Sequence, residues 1–307
     1  MSKDSKILVY AYPGMYSYWF EALLKWQNVE CDFNYTKKVP QDYGDLSNVY
    51  DVIFFNMPIR GGQERFIEDN LEDIMNQPFS DVYVVGSHVS FKSADFPVLN
   101  NLSEDESPLL QMYNLLVNHP VQANRMGISF TEIDKEIIME LNNWYLMEPK
   151  PLGEGLGYLS NFWKENLSKL PPIDSKDKLF KIVGNPLVKR EALTVQEYVT
   201  RKLGEVRSYS DEGETVSFVY AENHHDSIDM KFFEGKSSLD ASVLLIGSHT
   251  KGDDLIHVRT SKDTCSLSVA KKFRNNATGN KYRSMFFLKD TPGSIGRALS
   301  TFFFEEE

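Results

Sequence analysis

The sequence predicts an α/β protein: a mostly parallel, doubly wound N-terminal sheet followed by a second, smaller α/β domain. Three observations carry that prediction. Short apolar β-branched runs alternate with helix-period segments over the first 170 residues. A proline-bearing stretch, Leu170 to Ser175 (LPPIDS), interrupts the chain. Charge changes at the same place: residues 1–170 hold 13 Lys+Arg against 24 Asp+Glu, whereas residues 171–307 hold 20 of each. The domains expected are therefore 1–170 and 176–307, consistent with a length of 307 residues.

Ile7 to Tyr12 (ILVYAY) reads as a buried strand that Pro13-Gly14 ends. Tyr18 to Gln27 reads as a helix with Trp19, Leu23 and Trp26 on one face. Asp51 to Asn56 (DVIFFN) is a second buried strand. Gln63 to Asn76 has helical spacing through Phe66, Ile67, Leu71 and Ile74. Asp81 to Val85 (DVYVV) is a third strand, running into Gly86-Ser87-His88. Ser107-Pro108 has the cap and first-turn residues of a helix start. Glu132 to Leu146 and Tyr158 to Leu170 are further helices.

In the second half, Val188 to Leu203 is helical. Thr215 to Ala221, Ala241 to Ile246, Leu255 to Arg259 and Ser284 to Lys289 are strands, with a helix over Cys265 to Phe273. Ser294 to Phe304 has helix-compatible spacing, so Phe302-Phe303-Phe304 reads as core packing rather than a partner-binding tail.

Composition excludes several classes. No window approaches the ~18 apolar residues of a membrane span. The charged start MSKDSK lacks a signal peptide's apolar core, so a cytoplasmic protein is expected. Two cysteines, Cys31 and Cys265, cannot build a disulfide framework and read as two small buried side chains. The acidic first half repels phosphate backbones at long range, which argues against long nucleic acid there. Richness in Asn, Lys, Tyr and Phe is compatible with an accessory protein of a phage or virus.

His224-His225-Asp226 is a weak metal candidate, because adjacent residues on an extended chain point to opposite sides. A stronger signal lies further on. Lys271, Lys272, Arg274, Lys281 and Arg283 surround the amide-rich Asn275-Asn276-Ala277-Thr278-Gly279-Asn280, with no acid between 271 and 283. Basic side chains, loop amides and a glycine are the parts of an anion site.

The segment VRTSKDTCSLSVAKKFRNNATGNKYRSMF, Val258 to Phe286, resembles the C-terminal signature of the DHH phosphoesterases: a strand ending S-x-R-S, a helix, then a glycine loop G-G-G-H-k-n-A-A-G-F. GETVSFVYAENHHD and SSLDASVLLIG are similar to the two strands that precede it in that family, and the three N-terminal strands match its layout. The resemblance covers about 90% of the chain in order and spacing. It implies two metal ions, commonly manganese, that activate water and clamp a phosphoryl group. It also implies substrates such as short oligonucleotides, cyclic dinucleotides or pyrophosphate. Members of the family often pair as homodimers.

This sequence departs from the family where the chemistry resides. The motif H-x-x-D-x-D-G falls on Ala11 to Ser17, with Ala11, Gly14 and Tyr16 at its His and Asp positions. The second-strand aspartate is Asn56, D-H-H becomes Gly86-Ser87-His88, and the later aspartate falls near Asn142 or Asn143. Every carboxylate is replaced, so no metal cofactor is expected. Arg259 and Ser261 match the strand-end signature, and Asn280, Lys281 and Arg283 stand in its glycine loop.

The sequence thus predicts a pseudoenzyme of this fold. It would bind a nucleotide, cyclic dinucleotide or short oligonucleotide between the domains through Arg259, Ser261, Asn280, Lys281, Arg283 and His88. One alternative is an interaction protein whose acidic first domain docks a basic partner. Another is an active phosphoesterase with displaced ligands drawn from Asp51, Asp81 and His88.

Overall fold

The computed structural model describes residues 6–41, 43, 49–59, 63, 67, 69, 71, 80–86, 98–101, 103, 105–146, 150–162, 167–211, 214–221, 243–249, 253–260, 264–279, 281 and 283–289. They form two compact units, Met1–Lys189 and Arg190–Glu307. Ile173, Leu179 and Val188 lie in the core of the first, so the chain beyond the two prolines still packs on that unit.

The first unit is built on a parallel sheet of β1 (Lys6–Ala11), β2 (Cys31–Tyr35), β3 (Val49–Phe55), β4 (Asp81–Val85) and β5 (Val98–Asn101). Their order is β2-β1-β3-β4-β5. Order reverses between β1 and β3, and ligands of open α/β sheets gather off the C-terminal strand ends at such a reversal. The central strands are apolar on both faces because both are covered. Ile7, Val9 and Ala11 face one core with Ile53, Phe55, Tyr83 and Val85. Leu8, Tyr10, Val52, Phe54, Val82 and Val84 face the other. In the expected helix after β3, Gln63, Ile67, Asp69 and Leu71 are helical, with Ile67 and Leu71 buried.

The helices around the first core are α1 (Met15–Trp26), α2 (Pro108–Asn118), α3 (Pro120–Met126), α4 (Glu132–Tyr145), α5 (Pro151–Phe162) and α6 (Lys176–Val183). Helix α7 (Pro186–Leu203) contains the division between units. The Ser107 side chain accepts from the Leu110 N–H, with proline opening α2 as expected. Thr131 and Asp134 close a capping box on α4.

The helix expected over Tyr158 to Leu170 is a correction: it runs Pro151–Phe162, and Leu167–Lys169 is a separate 3-10 turn. Its glycines are contact points rather than a loop. A Cβ at Gly155 would lie 1.9 Å from Val183 Cγ1. Helical Gly→Ala ordinarily stabilises by about 1 kcal/mol. Here Gly155→Ala is expected to destabilise by about 1–3 kcal/mol through overpacking, read as a lower urea midpoint at unchanged slope. A raised midpoint would contradict that packing.

The second unit is a mixed six-stranded sheet, ordered β10-β11-β9-β8-β7-β6. Its strands are β6 (Arg207–Asp211), β7 (Glu214–Ala221), β8 (Val243–His249), β9 (Asp253–Thr260), β10 (Thr278–Gly279) and β11 (Arg283–Lys289). Among the described residues of this sheet the β7–β8 pairing is parallel and the others are antiparallel. Helix α8 (Ser266–Phe273) packs Val269, Ala270 and Phe273 against it, and Phe273 stacks on Phe286 at 5.4 Å. Among the described residues no helix is long and apolar enough to cross a membrane.

The cysteines correct the expectation of two buried thiols. Cys265 caps α8 and is exposed, and Cys31 is only half-buried at the start of β2. His224, His225 and the Ser294–Phe304 segment lie outside the described residues.

Candidate ligand site and the replaced metal positions

At the C-terminal ends of β1, β3 and β4 the described backbone is tied by hydrogen bonds. Ala11 ends β1 fully buried. The Tyr12 N–H donates to the Phe55 carbonyl, and Ser17 Oγ donates to the Tyr12 carbonyl at 2.6 Å. Gly14 precedes α1 in extended backbone. Tyr16 is buried, its ring edge-on to Tyr145 at 6.0 Å.

Asn56 follows β3 with φ 53°, and its N–H donates to the Val85 carbonyl at 2.7 Å. Gly86 follows β4 with φ 139°, and its N–H donates to Gln111 Oε1 at 2.9 Å. Gln111 Nε2 in turn donates to the Ser103 and Glu106 carbonyls. Asn142 Oδ1 accepts from the buried Ser107 N–H at 2.7 Å.

These residues do not fit a pair of divalent cations. Two such ions need anionic ligands to offset their mutual repulsion. At the described positions the donors are neutral amides and a phenol, or there is no side-chain donor at all. Tyr16 and Asn142 are already engaged in the core. Among the described residues no cluster of three His, Cys, Asp or Glu could hold a metal. Ser87 and His88 lie outside the described residues.

Asp51 and Asp81 sit at the opposite, N-terminal edge of the sheet. Arg125 on α3 donates through Nη2 to Asp51 Oδ1 and, at 2.8 Å, to Asp81 Oδ2. The Asp81 N–H also donates to Asp51 Oδ1 at 3.2 Å. Burial pushes the Asp51 carboxyl up to about 6, although Arg125 pulls it down. Burial also acts to lower the Arg125 pKa, but the carboxylates, Asp51 foremost, raise it overall.

An unfolded aspartate titrates near 3.9. Between about pH 4 and 6 the native protein therefore holds a proton that the unfolded chain has released. The stabilisation from this group is full below pH 4 and is lost as pH rises through 6. Relative to Asp51→Asn, the wild type should lose roughly 3 kcal/mol of unfolding free energy between pH 4 and pH 7. Parallel pH profiles for the two proteins would contradict this.

In the second unit, Arg259 lies buried on β9 and donates through Nη1 to the Val258 carbonyl at 2.9 Å. Its position is directly opposite Arg283 on β11 and Leu244 on β8. The Lys281 carbonyl accepts from the Ser266 N–H at 2.8 Å, which ties the basic loop to the start of α8. Ser266 Oγ also bonds the Val258 carbonyl and Ser284 Oγ. Lys281, Lys271, Lys272 and Arg274 are exposed, and Gly279 has φ 145°. Arg259, Arg283 and Lys281 are thus on adjoining segments of the second unit. Ser261 and Asn280 lie outside the described residues.

The Arg125 clamp is absent from the sequence reading. Its signal was available: two buried strands, DVIFF and DVYVV, each begin with an aspartate and run in register, Asp51 against Asp81.

No protein-family model and no curated protein matches the chain. Solved structures do. RecJ from Thermus thermophilus in complex with Mn2+ matches 98% of this chain with a TM-score of 0.59 at 12% identity. The same protein with Mg2+ gives 0.53 at 11% identity, again over 98% of this chain. The match spans about half of RecJ, 52% and 49% of the two RecJ chains. At this level of identity the likeness is one of fold: the chain has the fold of about half of RecJ.

Proposed function

We propose that this protein binds a phosphate-bearing ligand, a nucleotide, cyclic dinucleotide or very short oligonucleotide, without hydrolysing it. The observation that carries the non-catalytic part is the use of Ala11, Tyr16 and Asn142 in the core at positions where the family's ligands are expected. Asp51 and Asp81 do not substitute for them, because both are bound to Arg125 at the far edge of the sheet.

The binding part rests on the second unit. Two arginine positions face each other on one rung of the β9–β11 ladder. Guanidinium groups bind phosphate through charge-assisted, often bidentate hydrogen bonds. Lys281 adds a third cation beside a glycine-bearing turn. Ser261 and Asn280, next to these residues in sequence, complete the proposed contact set.

Thermal melts test this reading. At a hundredfold excess over Kd, binding adds about 2.7 kcal/mol, which for a chain of this size raises Tm by roughly 4 °C. Arg259→Ala and Arg283→Ala should each remove most of that shift, measured against their own ligand-free melts. A full shift in both variants would overturn the arginine site. The other reading, a basic protein docked on the acidic first half, is favoured by the 24 acids against 13 bases in residues 1–170. No shift with any nucleotide, together with salt-sensitive capture of a basic protein, would select it.

A further inference from the structure

We propose that Tyr35, braced by Tyr18, offers a stacking platform for a nucleobase, with the adjoining phosphate taken by Lys37 and Lys38. This goes beyond the arginine site and stands or falls separately from it. Tyr35 is the last residue of β2, in register with Ala11 at the end of β1. The Thr36 N–H donates to the Ala11 carbonyl at 2.9 Å, so the strand pair holds together to its end. The platform therefore lies at the C-terminal edge of the parallel sheet, the side on which open α/β sheets collect ligands.

Core packing does not account for Tyr35. Phe33, two residues earlier on β2, serves that purpose by meeting Phe20 at 6.1 Å. Tyr35 leaves 39% of its surface in water and is nevertheless fixed. Its hydroxyl donates to Glu21 Oε2 at 2.5 Å, and Glu21 is paired with Lys25 at 2.7 Å. Its ring lies 5.4 Å from Tyr18 at 57° and 5.1 Å from Phe33 at 49°. An aromatic ring held in place before binding adds contact area with little ordering cost. Every base has a π-face, so such a platform is tolerant of sequence.

The cations follow immediately. Lys37 and Lys38 are both exposed, and Thr36 Oγ1 closes the turn that carries them through bonds to the Lys38 carbonyl and N–H. The acidic first half opposes a long phosphate chain at distance. The ligand class is accordingly one base with its phosphate, either a free mononucleotide or the end of a short single strand.

The test is isothermal titration of the full chain with adenosine 5′-monophosphate, the tetra-adenylate single strand and ribose 5-phosphate. AMP and tetra-adenylate should bind, and ribose 5-phosphate at least tenfold more weakly. Equal affinity for the first two identifies a mononucleotide site, and tighter tetra-adenylate binding identifies a strand end. Tyr35→Leu should weaken AMP binding about tenfold or more. Lys37→Ser with Lys38→Ser should weaken it and flatten its salt dependence. That lysine variant alters only exposed residues, so it decides the matter if Tyr35→Leu fails to fold. Unchanged affinity in these variants, equal binding of ribose 5-phosphate, or no binding of any probe would overturn the platform. If Arg259→Ala abolishes binding while these variants keep it, the platform fails and the arginine site stands. The reverse pattern supports the platform alone.

Discussion

Arg125→Met should cost the protein about 3–5 kcal/mol at pH 7, the range seen when one partner of a buried ion pair is removed. Arg125 is the cation bound to both Asp51 and Asp81, whose side chains are only 3% and 18% exposed. Methionine keeps the volume but leaves two carboxylates under the sheet without that cation. The loss should shrink toward pH 5, where Asp51 takes up its proton. It should be largely recovered in a triple variant carrying Asp51→Asn and Asp81→Asn as well, since that removes the stranded charge. Urea unfolding at the two pH values measures both effects. A cost below 1 kcal/mol at pH 7 would mean that the clamp contributes little.

Gly86→Asp should destabilise by about 3 kcal/mol and create no metal site. This substitution puts an aspartate at the position that aligns with the first residue of the D-H-H motif. The backbone no longer accepts it. Gly86 has φ 139°, a conformation essentially reserved for glycine, and a Cβ there would approach Asn56 Cα at 3.1 Å. Strain of this kind costs about 1–3 kcal/mol, and a carboxylate in a buried position adds to it. Combining Gly86→Asp with Asn56→Asp should leave the protein unable to gain stability from Mn2+. A manganese-dependent rise in Tm for that double variant would show that the strand ends still have the geometry of a metal centre.

The parts of the fold legible in the sequence are those buried on both faces. β1, β3 and β4 are continuous apolar runs because the sheet is covered on both sides. β2 (CDFNY) and β6 (RSYSD) were not legible. Both are outer strands with polar residues, and β2 is half-exposed along its length. Helix α1 begins at Met15, before the expected Tyr18, because Met15 and Tyr16 fill the core. Nothing in their spacing distinguishes that from a loop.

The neutral residues at the positions aligned with the metal motif were legible one by one, since Ala, Gly and Asn carry no carboxylate. Their contacts in the fold were not. That Asn142 would hold a helix cap, or Gln111 the Gly86 N–H, depends on contacts 35 and 25 residues away in sequence. Arg259 was found from its motif, whereas its pairing with Arg283 follows from a strand register that sequence does not specify.

A chain that binds a phosphate ligand without metal-dependent hydrolysis should treat that ligand alike with and without metal. The most direct test titrates a cyclic dinucleotide, AMP and the tetra-adenylate into the protein in EDTA and in Mn2+, then analyses the recovered ligand. At least one should bind with the same affinity in both buffers and be recovered intact after prolonged incubation. Cleavage that requires Mn2+ and stops in EDTA would contradict this.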